Sequence, residues 1–353
     1  MNQKWVVDFP TLADLWDDWV QAHCRVPDGA SRGASFVWSD WQFWNAANYG
    51  RIRDGLVWEG VPLRSQAFQY RRLQIIGPQK TGKGPFAASM TCIEAVGPSQ
   101  FDGWAVAGEV YRCSDNGCPC GFVHQYLPGE PKGRRHPSPL IQLTATAEDQ
   151  VESNLYRHLR SMITLGPLSE LMADRGSFVR IFNDIGGDES DRIDVVTASA
   201  MGRLGNPISF AIQDETGLWN RRNRMEMVAH AQRRGLAGMS GRSIEMTNAY
   251  DSSENSVAQQ TQESSVEDIF RFYVKPPANL SWRNLQDRRK ILEIVYKGSP
   301  WVDIDAVMAE AAELSERDPE QAERFFGNRI TYSSGSWLPE GLWEEHIHVA
   351  SES

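Results

Sequence analysis

Residues 71–96, RRLQIIGPQKTGKGPFAASMTCIEAV, decide how the rest of the chain is read. Leu73, Ile75 and Ile76 form a short apolar run without helical period, which marks a buried strand. The stretch from Gly77 to Lys83 then has the spacing G-x-x-x-x-G-K. Phe86, Ala87, Met90, Ile93 and Glu94 follow at helical spacing, and Pro85 suits a first helical turn. Strand, glycine-rich loop and helix is the context a phosphate-binding loop needs. In that reading Gly77, Pro78, Gln79, Lys80, Thr81, Gly82, Lys83 and Gly84 wrap the phosphates of a nucleotide with backbone N–H groups. The positive end of the helix assists, and Lys83 reaches the β- and γ-phosphates. One position departs from the pattern. Ser or Thr at position 84 would offer Mg²⁺ a hydroxyl, and this chain has Gly84.

A second landmark lies at residues 207–219, PISFAIQDETGLW. Ile208, Phe210 and Ile212 predict a strand, with Asp214 and Glu215 at its carboxyl end, where open α/β sheets bind ligands. Downstream of a phosphate loop this is the Walker B arrangement. Asp214 would hold Mg²⁺, and Glu215 would orient and deprotonate an attacking water. Residues 242–248, RSIEMTN, predict another strand, whose Thr247 and Asn248 are placed to sense a γ-phosphate.

Bulk properties bound the alternatives. A chain of 353 residues holds one large or two modest domains. The hydrophobic share of 41% and charged share of 23% suit a globular protein rather than a disordered one. No apolar run is long enough to span a membrane, and the N-terminus lacks a signal-peptide pattern, so the expected location is cytosolic. A net charge of −10 argues against wrapping nucleic acid over the whole surface, while leaving room for a few cations at a pore.

The remaining chain supplies smaller signals. Residues 1–60 are rich in tryptophan, and Leu12, Leu15, Trp16 and Trp19 fall at helical spacing, which predicts a helical arm. Gln42, beside Trp41, has an amide able to donate to and accept from an adenine edge, or is a surface residue beside a core tryptophan. Residues 97–139 predict an extended loop or a small inserted lobe. Within them Cys113, Cys118, Cys120 and His124 form either four ligands for Zn²⁺ or a tight loop with buried thiols. Residues 140–146 predict a strand, 147–165 a helix, 178–182 and 195–197 two more strands, and 220–235 a basic helix. Residues 251–267 predict a loop and then a helix. From about residue 266 the pattern predicts a helical subdomain, with Ile269, Phe270 and Tyr273 on one apolar helix face.

Taken in order, these landmarks resemble the large terminase subunit of tailed bacteriophages. Trp41-Gln42 is similar to that family's adenine-contacting segment. GPQKTGKG resembles its variant phosphate loop, with Lys80 as the early basic residue. TATAEDQ matches the following strand and helix, FAIQDETGLW its Walker B, and EMTNAYDSSENS its coupling motif. Residues 298–337 match its lid subdomain. The resemblance implies a P-loop α/β fold of the additional-strand type, with the Walker B strand beside the Walker A strand and a helical lid after the sheet. It also implies an arm at 1–60, an ATPase core at 61–265, a lid at 266–336, and a linker at 337–353 toward a nuclease domain absent from this chain. The implied activity is Mg²⁺-dependent ATP hydrolysis driving double-stranded DNA into a procapsid in the host cytoplasm, without DNA cleavage. The implied partners are DNA, a portal protein, a small terminase subunit and further copies of the chain in a ring, expected to be a pentamer, with a monomer in isolation. Arg203, in SAMGRLGNP, is the candidate for an arginine acting across a subunit boundary; the other reading pairs it with Asp191 or Asp194. Another P-loop translocase or helicase, and a non-catalytic docking protein with a decayed metal site, are the rival readings.

Overall fold

The computed structural model describes residues 5–146, 155–182, 191–196 and 206–331. Arg203, the beginning of the helix expected from residue 147, and residues 337–353 lie outside them.

The chain opens with helices α1 (Ala13–His23) and α2 (Asp40–Tyr49), followed by strand β1 (Arg72–Ile76) and helix α3 (Lys83–Val96). Four short strands come next: β2 (Gln100–Trp104), β3 (Val110–Arg112), β4 (Val123–Gln125) and β5 (Pro131–Arg134). Then follow β6 (Leu140–Thr144), α4 (Arg157–Leu165), β7 (Met172–Asp174), β8 (Phe178–Ile181), β9 (Arg192–Val196), β10 (Phe210–Asp214) and α5 (Met225–Gly238). The last group is β11 (Arg242–Thr247), α6 (Val257–Glu263), β12 (Ile269–Tyr273), α7 (Leu285–Val295), α8 (Ile304–Arg317) and α9 (Pro319–Phe325).

Eight strands form one sheet in the order β12-β1-β11-β10-β6-β9-β8-β7. The first six are mutually parallel, and β8 and β7 extend the sheet as an antiparallel hairpin. Parallel strands must be covered on both faces, and every residue of β11 is accordingly buried. One adjacency differs from expectation. The strand ending in Asp214 does not sit beside the strand that feeds the glycine loop. β11 lies between them, pairing with β1 on one side and β10 on the other. It therefore brings Thr247 and Asn248 between the two landmarks.

The tryptophan-rich arm is part of the main core. Trp16, Trp19, Trp38 and Trp41 are buried in one cluster with Ile75, Phe86 and Ile212. The Trp16 indole donates to the Pro98 carbonyl at 2.8 Å, and Trp41 stacks on Phe272 at 5.9 Å. Residues 97–139 form a lobe with two small antiparallel pairs, β2 with β5 and β3 with β4. The expected helical face at Ile269, Phe270 and Tyr273 is instead the edge strand β12, parallel to β1. Five residues flanked by loops are too few for a helical period to be told from a strand. Helices resume at Leu285, and Trp282, Ile291, Leu292, Val295, Val307, Ala311 and Phe326 build a second, smaller core there.

Candidate active site

β1 ends at Ile76, and the chain turns at the carboxyl end of the sheet. The Gly77 amide donates to the Thr247 carbonyl at 3.1 Å, tying the start of the loop to the end of β11. Gly82 has φ of +94°, which a side chain would strain, and a Cβ there would lie 2.7 Å from the Trp301 ring. Lys83 opens α3 and folds back over the loop. Its ammonium donates to the carbonyls of Gly77 at 2.6 Å and Pro78 at 2.7 Å, and to Asn248 Oδ1 at 3.2 Å. Burial pulls its pKa down to about 8, against the opposing pull of Glu215 and Asp214.

The same Asn248 reaches the acidic pair. Its Nδ2 donates to Glu215 Oε2 at 3.3 Å, so one amide bridges the lysine of the loop and the second carboxylate. Burial and the neighbouring Glu215 push Asp214 up to about 7, with Lys83 opposing. Burial also raises Glu215. Glu215 takes a left-handed backbone, φ 58°, and its amide donates to Asp214 Oδ1 at 3.1 Å. That conformation is uncommon for a non-glycine residue and turns the chain sharply out of β10. The turn is held from β11, where Thr247 Oγ1 accepts from the Gly217 amide at 2.9 Å.

Four residues picked out in the sequence, Lys83, Asp214, Glu215 and Asn248, thus meet at one end of three adjacent strands. Thr247 stands behind them as a brace. Lys80 turns outward with φ 67°, and its carbonyl accepts from the Trp301 indole at 3.2 Å. The helical subdomain grips the loop twice more. Ser299 donates to the Thr81 carbonyl at 3.2 Å, and the Gln79 amide donates to the Phe325 carbonyl at 2.8 Å. Gln42 is buried and its amide is engaged at both ends. Oε1 accepts from the Ser39 amide at 3.0 Å, closing the N-terminal cap of α2, and Nε2 donates to the Gly82 carbonyl at 3.2 Å.

Gly84 has a neighbour that the sequence conceals. A Cβ there would lie 2.7 Å from His158 Cδ2 and 3.0 Å from its Nε2. The imidazole on α4 fills the space a Ser or Thr side chain would enter. Glu245 also escaped the sequence reading. It is buried on β11 and accepts from Gln74 at 2.7 Å, Thr216 at 3.0 Å and Thr261 at 2.9 Å. A charge in the middle of the apolar run RSIEMT was its signal, since buried carboxylates persist only with partners. His158 carried no such signal, because only the packing of α4 on α3 brings it to the loop.

The cysteine reading needs one correction. His124 does not join the thiols. Its Nδ1 lies 2.7 Å from Asp18 Oδ2 and its Nε2 3.0 Å from Glu130 Oε1, so carboxylates occupy both nitrogens. The imidazole beside Cys113, Cys118 and Cys120 is His23, from α1.

A parallel sheet whose β1 runs into a glycine loop and helix, with one strand inserted before the acid-tipped β10, defines the P-loop fold class with an additional strand. Within that class, the crystal structure of the HK97 bacteriophage large terminase superposes with a TM-score of 0.60 at 16% identity, over 90% of this chain and 55% of that one. Two curated proteins are similar in sequence. The Gene 13 protein of Mycobacterium phage L5 is 24% identical over 323 residues, 83% of this chain and 49% of that protein. Its counterpart from Mycobacterium phage D29 is 23% identical over 322 residues, with the same shares. The chain spans about half the length of the curated relatives it matches. No protein-family profile matches the sequence. No helix among the described residues is long and apolar enough to cross a membrane.

Proposed function

We propose that this chain is the ATPase part of a tailed-phage large terminase, which hydrolyses ATP and uses the resulting conformational change to move double-stranded DNA into a procapsid. One observation carries the reading. Lys83, Asn248, Glu215 and Asp214 converge where the glycine loop leaves the sheet; Asn248 links Lys83 to Glu215 by hydrogen bonds of 3.2 Å and 3.3 Å, and Asp214 Oδ1 accepts from the Glu215 amide. The likeness in fold to the HK97 large terminase supports the choice of motor over other P-loop enzymes.

The chemistry follows from the donors and acceptors in place. Lys83 leaves the carbonyls of Gly77 and Pro78 for the γ-phosphate, a charged acceptor that binds an ammonium more strongly than a carbonyl does. Glu215 orients the attacking water and takes its proton, and burial raises its basicity for that task. Asn248 touches both groups, so it reports the loss of the γ-phosphate from the loop to β11. Two adjacent half-buried carboxylates facing one lysine suit a divalent cation. A bound Mg²⁺ would neutralise charge on the phosphates, with Asp214 as the residue to hold it. Gly84 offers no hydroxyl toward that ion, and His158 occupies the place of one. An adenine contact by Gln42 would require it to release Ser39 or Gly82 first. Lys80 and Arg203 are the cationic candidates for stabilising transition-state charge, Arg203 from a neighbouring copy in a ring. A portal protein and a small terminase subunit are the docking partners that this role entails, and the host cytoplasm is where it takes place.

Phosphate release by the purified chain tests the reading. ATP turnover should need Mg²⁺ and should fall by about 10²-fold or more in Lys83→Ala. Mixing Arg203→Ala with Glu215→Gln protein should restore activity if Arg203 acts across an interface. Absence of Mg²⁺-dependent turnover in assembled, DNA-bound protein would favour the non-catalytic docking reading.

A further inference from the structure

A cluster outside the nucleotide region joins the arm to the inserted lobe. Three sulfurs surround one imidazole nitrogen. His23 Nε2 lies 3.4 Å from Cys113 Sγ, 3.6 Å from Cys118 Sγ and 3.1 Å from Cys120 Sγ. All four atoms lie within 4.8 Å of one another. Around a tetrahedral zinc ion, with bonds of about 2.3 Å to sulfur and about 2.0 Å to nitrogen, the sulfur–nitrogen edges are about 3.5 Å. The three observed edges scatter about that value. Hydrogen bonding alone does not account for the convergence, because one nitrogen lone pair accepts one S–H and not three.

The imidazole is set up to be a ligand. Its Nδ1 lies 2.7 Å from the Trp19 carbonyl, which only accepts, so Nδ1 carries the proton and Nε2 presents its lone pair to the sulfurs. Stacking on Trp19 at 4.2 Å and an edge contact with Phe122 at 5.6 Å fix the plane of the ring. On the other side, Cys113 opens a short turn that ends at Gly117, φ 76°. The Cys118 amide donates to the Cys113 carbonyl at 3.0 Å, and the Phe122 amide approaches Cys120 Sγ at 3.4 Å. An amide aimed at sulfur stabilises the thiolate that binds a metal. His23, Cys113 and Cys118 are buried, and Cys120 is exposed at the rim, which leaves an entry path.

We propose that His23, Cys113, Cys118 and Cys120 bind one Zn²⁺, with three thiol protons released to solvent on loading. The ion is structural, since four protein ligands leave no open position. It closes contacts 90 to 97 residues apart in sequence and pins the C-terminus of α1 to the β3–β4 hairpin. That hairpin has three residues per strand, too few to hold its shape alone. The proposal is independent of the nucleotide chemistry.

The test is metal analysis of the 353-residue chain purified without chelators. About one zinc per chain is expected in the parent and in His124→Ala, with about a tenfold or greater loss in Cys120→Ser. Because removal of a ligand can cost folding, a second measurement uses the parent alone. Chain stripped of metal and refilled with Co²⁺ should show thiolate charge-transfer bands and the intense visible bands of a tetrahedral site. Less than about half an equivalent of zinc in the parent overturns the proposal, as does a Co²⁺ spectrum without thiolate bands. Zinc that is lost in His124→Ala and kept in Cys120→Ser would overturn the assignment of His23.

Discussion

Gly84 and His158 show how a single position depends on a distant helix. From the loop alone, Ser at position 84 looks harmless and even useful, since it would add a hydroxyl ligand. In the fold its Cβ meets the His158 ring at 2.7 Å. Gly84→Ser should therefore destabilise the protein by about 1–3 kcal/mol, through overpacking. His158→Ala should absorb most of that cost, so a double-mutant cycle should be strongly non-additive. Additive losses in urea unfolding would mean that the two residues do not compete for space. Asp17 offers a second test at this scale. Burial raises its carboxyl from 3.8 to about 6, with Gln21 opposing and Asp18 and Asp14 adding to the rise. A raised acid favours the fold below the lower value and loses that contribution as pH climbs through the upper one. Asp17→Asn should thus stabilise the protein by about 1–2 kcal/mol at pH 8, after allowance for solvent screening, and by almost nothing at pH 4. Melting curves at the two pH values check this, and an equal gain at both would refute it.

Among elements, β11 joins the strand that feeds the glycine loop to the strand that ends in Asp214. Arg242, at its start, is fully buried, with its guanidinium 3.5 Å from the centre of the Tyr49 ring and 3.8 Å from that of Phe68. It lies 3.9 Å from Glu94 of α3, which Arg64, in the loop before β1, approaches at 3.5 Å. Three segments are thereby fastened to one strand. Removing one member strands a buried charge, so Arg242→Ala should cost about 3–5 kcal/mol. A loss below about 1 kcal/mol in urea unfolding would show that the cluster is not what joins the arm to the sheet. The strands around β11 also mark how far the sequence could be read. β1 and β10 were legible because each pairs an apolar run with a chemical signature at its end. β12 was not, because Ile269, Phe270 and Tyr273 fit a helix face as well as a strand, and only pairing with β1 decides between them. The order of β1, β11 and β10 is a tertiary property that no local pattern encodes.

At the scale of the whole molecule, residues far apart in sequence are gathered at two places. Zinc-type ligands were half legible, since the three clustered cysteines were visible, whereas their histidine partner sits on a helix 90 residues earlier. The meeting of Lys83, Asp214, Glu215 and Asn248 at the proposed nucleotide site was more legible, because each of these residues lies in a motif of its own. What the motifs did not reveal is the grip of the helical subdomain on the loop through Ser299, Trp301 and Phe325. Trp301 is half-exposed, so Trp301→Ala should leave the melting temperature nearly unchanged. It should also weaken ATP binding by about 3–10-fold, the worth of one hydrogen bond. Unchanged ATP affinity would show that the subdomain does not help to shape the loop. The proposed function rests on Glu215, bridged through Asn248 to Lys83, acting as the base of an ATP-hydrolysing site. Its most direct test is a comparison of ATP binding and single-turnover phosphate release in the parent and in Glu215→Gln. ATP affinity should stay within a few-fold of the parent and phosphate release should slow by about 10²–10⁴-fold, because the amide keeps the shape and cannot take the proton. Release at the parent rate with binding intact would contradict it.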